Sequence, residues 1–207
     1  MQEIITYIAL SMGVAWASGL NLYAAILVLG LLGATGNMTL PEALQILQNP
    51  LVIGAAALMY VVEFFADKFP GVDNAWDTLH TFIRIPAGAI LAASAVADVE
   101  PSLSFAAALV GGTLTAGAHL AKAGTRLLVN TSPEPFSNIG ASVAEDTMVV
   151  AGLWTAIYFP ILFLVFLTGF LILLIWWLPI LWRGLKKIYD TVRRFFAPTK
   201  TRYLAEP

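Results

Sequence analysis

From Thr147 to Trp182 the chain runs for 36 residues without an acidic or basic side chain. As one straight helix this stretch would be about 54 Å long, against a bilayer hydrocarbon core of about 30 Å. A turn before Pro160 resolves the excess, because proline disfavours helix at the residue before it. Pro179 is expected to kink or end the last helix. The whole chain agrees with a membrane reading: of 207 residues 59% are hydrophobic and 12% charged. A soluble domain carries about 25% charged residues, and disordered chains and coiled coils need at least as many. Those classes are excluded. The net charge of −2 is too small for a nucleic-acid partner, and no DNA-binding motif occurs. The absence of cysteine removes disulfides, thiolate zinc sites and thiol nucleophiles.

Six apolar segments emerge: Ile4 to Leu32, Pro50 to Ala66, Asn74 to Ala97, Leu103 to Leu128, Pro135 to Leu153, and Tyr158 to Trp182. The first is interrupted by Ala17-Ser-Gly-Leu-Asn. Runs such as Ile161-Leu-Phe-Leu-Val-Phe-Leu do not alternate, so helices are expected rather than a strand barrel. The start Met1-Gln-Glu lacks the basic region of a signal peptide, and the first helix is expected to stay in the mature protein. The fold class expected is an all-α polytopic bundle of about six membrane segments, some broken or re-entrant. Residues 1–183 form the membrane domain and 184–207 a basic amphipathic cytoplasmic tail.

Basic residues mark the cytoplasmic side. Arg183, Lys186, Lys187, Arg193, Arg194, Lys200 and Arg202 make 7 of the 11 cations, which places the C-terminus inside. Six spans place the N-terminus inside too, and the outer loops, about 33–49, 98–102 and 154–157, then contain no Lys or Arg. The tail from Lys186 to Phe196 would lie on an anionic inner leaflet or simply satisfy this charge rule. The stretch from Thr39 to Gln48 reads as a short interfacial helix after Pro41, or as a plain loop. A shift of 52 residues weakly relates the hairpins 50–98 and 102–152, with identities that are mostly Ala, Gly and Leu.

Charge inside a membrane helix costs about 2.5–3.5 kcal/mol per group on insertion scales, so it needs partners or water. Here it forms stripes. Tyr60, Glu63 and Asp67 share one helical face; so do Asp73, Asp77, His80 and Arg84; so do His119, Lys122 and Arg126; and so do Asn138, Ser142 and Glu145, with Asp146 beside them. All four stripes fall in the inner half of the bilayer, and facing one another they would enclose a polar cavity open to the cytoplasm. Arg84 lies roughly 15 Å deep. The alternative for Arg84 is a bridge to a carboxylate that fastens two helices, and for Glu63 and Asp67 a solvated interfacial pair.

Asn21 sits at the mid-membrane interruption of the first helix, a device transporters use to bind substrate. Ser137 or Asn138 could cap the fifth helix, whose N-terminus, with Lys122 and Arg126 nearby in sequence, suits an anionic head group. A metal site from His80, His119, Glu63 and Glu145 lacks any close ligand motif. Glu145 and Asp146 point about 100° apart on a helix, which is wrong for a shared-proton dyad. Motifs of intramembrane proteases are absent.

The segments Ser18-Gly-Leu-Asn-Leu-Tyr-Ala-Ala, Glu63-Phe-Phe-Ala-Asp-Lys-Phe-Pro-Gly-Val-Asp, Asp77-Thr-Leu-His-Thr-Phe-Ile-Arg-Ile-Pro-Ala-Gly-Ala and Asn138-Ile-Gly-Ala-Ser-Val-Ala-Glu-Asp resemble a bacterial membrane family catalogued as domain of unknown function four-one-two-six. The resemblance covers about residues 5–180. It implies a bacterial inner-membrane protein and no activity. His80-Thr-Phe-Ile-Arg-Ile-Pro-Ala-Gly is also similar to a short segment of DedA-type proteins, which implies lipid handling and re-entrant hairpins. Here the Arg stands two residues before the Pro and the flanking glycine-rich motif is missing.

The function expected is transport of an anionic small molecule or lipid head group, with proton coupling as an added expectation. Arg84 would be the anion or carboxylate partner, with Asn21 contributing at the helix break. Glu63, Glu145 and Asp146 would carry protons or gate the substrate. Asp67, Asp77, His80, His119, Lys122, Arg126 and Asn138 would complete the site. No enzyme activity and no cofactor are expected. The partners expected are membrane lipids and the cargo, with a second copy of the chain or a membrane complex as further partners. The competing class is an accessory subunit whose buried charges fasten helices and whose last helix, with Trp154, Trp176, Trp177 and Trp182, is a docking face.

Overall fold

A computed structural model describes residues 2–129 and 135–196, with backbone alone for 70, 135, 136, 181, 185 and 187–196. The described residues are helical: α1 (Gln2–Ala34), a 3-10 helix (Glu42–Gln48), α2 (Pro50–Ala66), α3 (Pro70–Ser94), α4 (Pro101–Val129), α5 (Pro135–Tyr158) and α6 (Pro160–Phe196). Proline opens every helix from α2 to α6. Its missing N–H costs nothing in the first turn, and its φ is already helical. Asn49 completes the start of α2 by accepting from the Leu51 N–H at 2.9 Å.

The chain turns at Phe159, as the uncharged run requires. Pro179, however, does not end α6, which continues to Phe196. Prolines are tolerated inside membrane helices when neighbours satisfy the freed carbonyl. The first part of the expected tail therefore extends α6, and its residues 197–207 lie outside the described residues. The break in α1 falls on Asn21, whose φ of −149° and ψ of 100° are extended inside an otherwise helical segment.

α1 is the central element and touches each of the other helices. Its close approaches depend on small residues. A Cβ on Gly19 would lie 2.5 Å from the Thr115 carbonyl oxygen and 2.6 Å from Ala118 Cβ. α3 and α4 pack along Gly88, Ala92, Gly111 and Thr115. Ser11 donates to the Ala92 carbonyl at 2.7 Å, and Thr115 Oγ1 lies 2.8 Å from the Ala15 carbonyl. Such small-residue contacts and interhelical hydrogen bonds replace the hydrophobic effect between helices in lipid. The 3-10 helix packs against α1. Leu40, Leu44 and Leu47 are buried in the core around α1, and Ile46 remains exposed. Gly36, at φ +73°, ends α1: its N–H reaches the Gly33 carbonyl and the Asn37 N–H reaches that of Leu32.

Large apolar side chains cover the outside, among them Leu51, Phe82, Phe105, Leu109, Ile161, Phe166, Ile175 and Trp176. An apolar surface of this extent is compatible with a bilayer. By length and composition three helices could cross a membrane, α1, α4 and the 160–184 part of α6; the 3-10 helix with α2, bent by 68°, makes up to four. α3 and α5 do not reach that standard, because the polar stripes dilute them.

Candidate functional site

The four stripes meet. Glu63 comes from α2 and Asp67 ends it; Asp77 and Arg84 come from α3, Lys122 and Arg126 from α4, and Glu145 from α5. Arg84 pairs with Glu63 and lies 3.2 Å from Asp77. Lys122 Nζ is 3.1 Å from Glu63 and 3.2 Å from Asp67, with Glu145 at 3.6 Å and Asp77 at 3.8 Å. Arg126 holds Glu145 through both nitrogens of a fork, at 3.1 and 2.7 Å, and reaches Asp67 at 3.3 Å. Its remaining nitrogen donates to the carbonyls of Asp67 and Asn138, each at 3.2 Å. Arg is suited to this because its planar donors match a carboxylate bidentately.

Among the described residues the expected cavity is closed: Glu63, Arg84 and Arg126 are 0% exposed, and the stripes meet in direct contact. A recess of about 150 Å³ reaches the network from its side, lined by Asn74, Asp77, Thr78, Thr81 and His119 with apolar neighbours. Glu63, Asp67, Asp77 and Glu145 pair with Arg84, Lys122 and Arg126, and the buried carboxylate of Asp73 also acts on Arg126, so carboxylates outnumber cations here. A net charge in low dielectric is costly unless it is paired and hydrogen-bonded. Glu63 Oε2, Asp67 Oδ1 and Asp77 Oδ2 carry no hydrogen bond among the described residues.

The histidines have fixed roles. His119 Nδ1 faces Arg84 at 3.3 Å, and an arginine can only donate. His119 is therefore an acceptor there, and its Nε2–H donates to Thr81 Oγ1 at 2.7 Å, while Thr81 donates to the Asp77 carbonyl. His80 bonds to neutral partners. Its Nδ1 donates to the Trp76 carbonyl at 2.9 Å, its Nε2 accepts from Tyr23 at 3.0 Å, and its ring stacks on Trp76.

A second polar group forms around Asp146, which turns away from Glu145 as consecutive helical positions must. Asn21 Nδ2 donates to one carboxylate oxygen and Tyr60 Oη to the other, both at 3.0 Å. Asn21 Oδ1 meanwhile accepts from the Ala24 N–H at 2.9 Å, so it caps the second half of α1. The structure thus separates the candidate residues. Glu63, Asp67, Asp77, Arg84, His119, Lys122, Arg126 and Glu145 converge, Asn21 and Asp146 form a neighbouring pair, and His80 belongs with Tyr23. Asn138 supplies a carbonyl at the edge of the network. α5 begins at Pro135, which places Ser137 and Asn138 within its first turn.

Tyr23 and Thr81 were missing from the sequence-derived site. Tyr23 lies two residues past the α1 break and Thr81 four past Asp77, so helical spacing was the available signal. Among the described residues no group of three His, Asp or Glu side chains could hold a metal ion.

A family model described as Domain of unknown function (DUF4126) matches residues 8–180, and the chain belongs to that family. No curated protein and no solved structure matches it.

Proposed function

For this member of a family of unknown function, we propose a polytopic inner-membrane translocator that moves an anionic small molecule or lipid head group together with protons. In this reading α1 to α6 are six membrane segments and both termini are cytoplasmic. One observation carries the proposal: three buried cations, Arg84, Lys122 and Arg126, are each paired with carboxylates of the same chain, which outnumber them. Glu63 on Arg84 and Glu145 on Arg126 then occupy the places an anionic cargo would take. A proton on either carboxylate frees its cation, and the cargo takes over the pairing. Protonation and anion binding become one exchange, with little change in buried charge. The break at Asn21 supplies an element able to rearrange around the site.

The test uses proteoliposomes enclosing a pH-sensitive dye. Inward gradients of inorganic phosphate, of succinate, and of a short-chain fluorescent phosphatidylglycerol are applied separately. A cargo-dependent pH change, lost in a folded Glu63→Gln variant, supports the proposal. No flux and no lipid movement with any probe, together with an unimpaired Arg84→Ala strain, counts against it.

The second reading is an accessory subunit in which the network fastens helices. Its support is that α2 and α4 have almost no backbone contact, so Lys122 and Arg126 are what join them. Under this reading Arg84→Ala unfolds the protein, and the chain copurifies with one stoichiometric membrane partner.

A further inference from the structure

Asp146 lies near the middle of α5, about 16 Å along the helix from Pro135. Unlike Glu145, it has no cation within ion-pair distance among the described residues. Among the described residues its side-chain hydrogen-bond donors are Asn21 and Tyr60, from α1 and α2. It is half-buried and lines an open recess of about 450 Å³ along α5 with Thr147, Val150, Ala151 and Trp154. That recess shares Ala151 with an apolar groove of about 690 Å³ running past Trp16, Phe163 and Phe170. The approach to this carboxylate therefore passes over apolar walls.

We propose that Asp146 is a proton-binding site reached from the hydrocarbon side of the bilayer, and that its protonation loosens the break in α1. The hydrogen bonds decide where the proton sits. Asn21 Nδ2 can only donate, and Asn21 Oδ1 is committed to the Ala24 N–H, so the oxygen facing Asn21 must remain an acceptor. The Tyr60 hydroxyl can turn from donor to acceptor, so the proton goes on the oxygen facing Tyr60. Once Asp146 is neutral, its bond from Asn21 loses charge assistance, which is worth about half the strength of such a bond. Asn21 is also the cap of the second half of α1, so the same side chain passes the change to the helix break.

The surroundings of Asp146 bear on its titration from each side. Lys122 on α4 and Glu63 on α2 act through space with opposite signs. On its own helix, Glu145 is held by Arg126. From α1 comes the neutral Asn21, and from α6 the groove receives Phe163, Phe166 and Leu167.

This inference rests on the membrane-spanning reading of α5 and leaves the cargo open. Its test is labelling of the full chain in liposomes with dicyclohexylcarbodiimide, an apolar reagent that attacks protonated carboxyls, followed by peptide mass analysis. The expected result is modification at Asp146 that falls at least threefold between pH 6 and pH 8, with no modification by a water-soluble carbodiimide. Asp146 left unlabelled, or labelled equally by the water-soluble reagent, overturns the proposal. Amide exchange at Ala24 supplies the second readout. Asp146→Asn, which mimics the neutral acid, should exchange there at least threefold faster than the parent, and unchanged exchange removes the link to the α1 break. If that variant does not fold, the pH dependence of wild-type labelling decides. Labelling without solute movement keeps this site and removes the transport reading; solute movement with Asp146 unlabelled does the reverse.

Discussion

Arg126 grips Glu145 through two parallel bonds, Nε to Oε1 at 3.1 Å and Nη2 to Oε2 at 2.7 Å, and the two residues belong to helices with little backbone contact. The pair therefore carries much of the α4–α5 association. Removing one partner leaves a buried charge unpaired, which costs about 3–5 kcal/mol, whereas removing both costs less. Arg126→Ala should lower the unfolding midpoint in detergent strongly, and the Arg126→Ala, Glu145→Ala double variant should recover part of the loss. Equal midpoints for single and double variants would show that the pair is uncoupled.

Lys122 is the cation with the most carboxylate neighbours. Lys122→Met leaves Glu63, Asp67, Asp77 and Glu145 with Arg84 and Arg126 as their cations. The native variant should then take up protons that its unfolded state does not hold, so its stability falls as pH rises. The midpoint deficit relative to the parent is expected to be larger at pH 8 than at pH 5. A deficit independent of pH would mean that the loss is one of packing alone.

Gly19 and Gly54 provide opposite cases. A Cβ at Gly19 would meet the Thr115 carbonyl and Ala118, while one at Gly54 meets nothing within 4 Å. Gly19→Ala should force α1 from α4 and cost about 1–3 kcal/mol, as overpacking does. Gly54→Ala should be neutral or stabilise by up to about 1 kcal/mol through helix propensity. Thermal unfolding of both in one detergent checks the contrast.

Asn21→Ala removes a helix cap and a donor to Asp146 at once. The cap alone is worth about 1 kcal/mol. Asn21→Asp keeps the cap and sets a second carboxylate beside Asp146. It should be less stable than the parent at pH 8 and recover toward it at pH 5. Unfolding midpoints of the three proteins at the two pH values measure this.

Orientation can be read from single cysteines, since the chain has none of its own. Asn37, Glu100 and Lys186 are all exposed. With both termini inside, Asn37→Cys and Glu100→Cys react with a membrane-impermeant maleimide added to intact spheroplasts, and Lys186→Cys reacts only after lysis. The reverse pattern would invert the topology.

The local features of this fold were legible in the sequence because they depend on neighbouring residues. Apolar runs place the starts of α2 to α6 within four residues, the Ser18-Gly-Leu-Asn stretch marks the break in α1, and helical spacing places each charge on one face. The same spacing separates Glu145 from Asp146, whatever they touch. Their partners were decided only by tertiary structure. Glu145 meets Arg126, and Asp146 meets Asn21 and Tyr60, because the close approaches at Gly19, Gly88 and Gly111 set the height and rotation of α1, α3 and α4. The closing of the expected cavity has the same origin. A stripe states which face of a helix is polar; how far that face stands from the next depends on side chains distant in the chain, and here they bring the charges into contact.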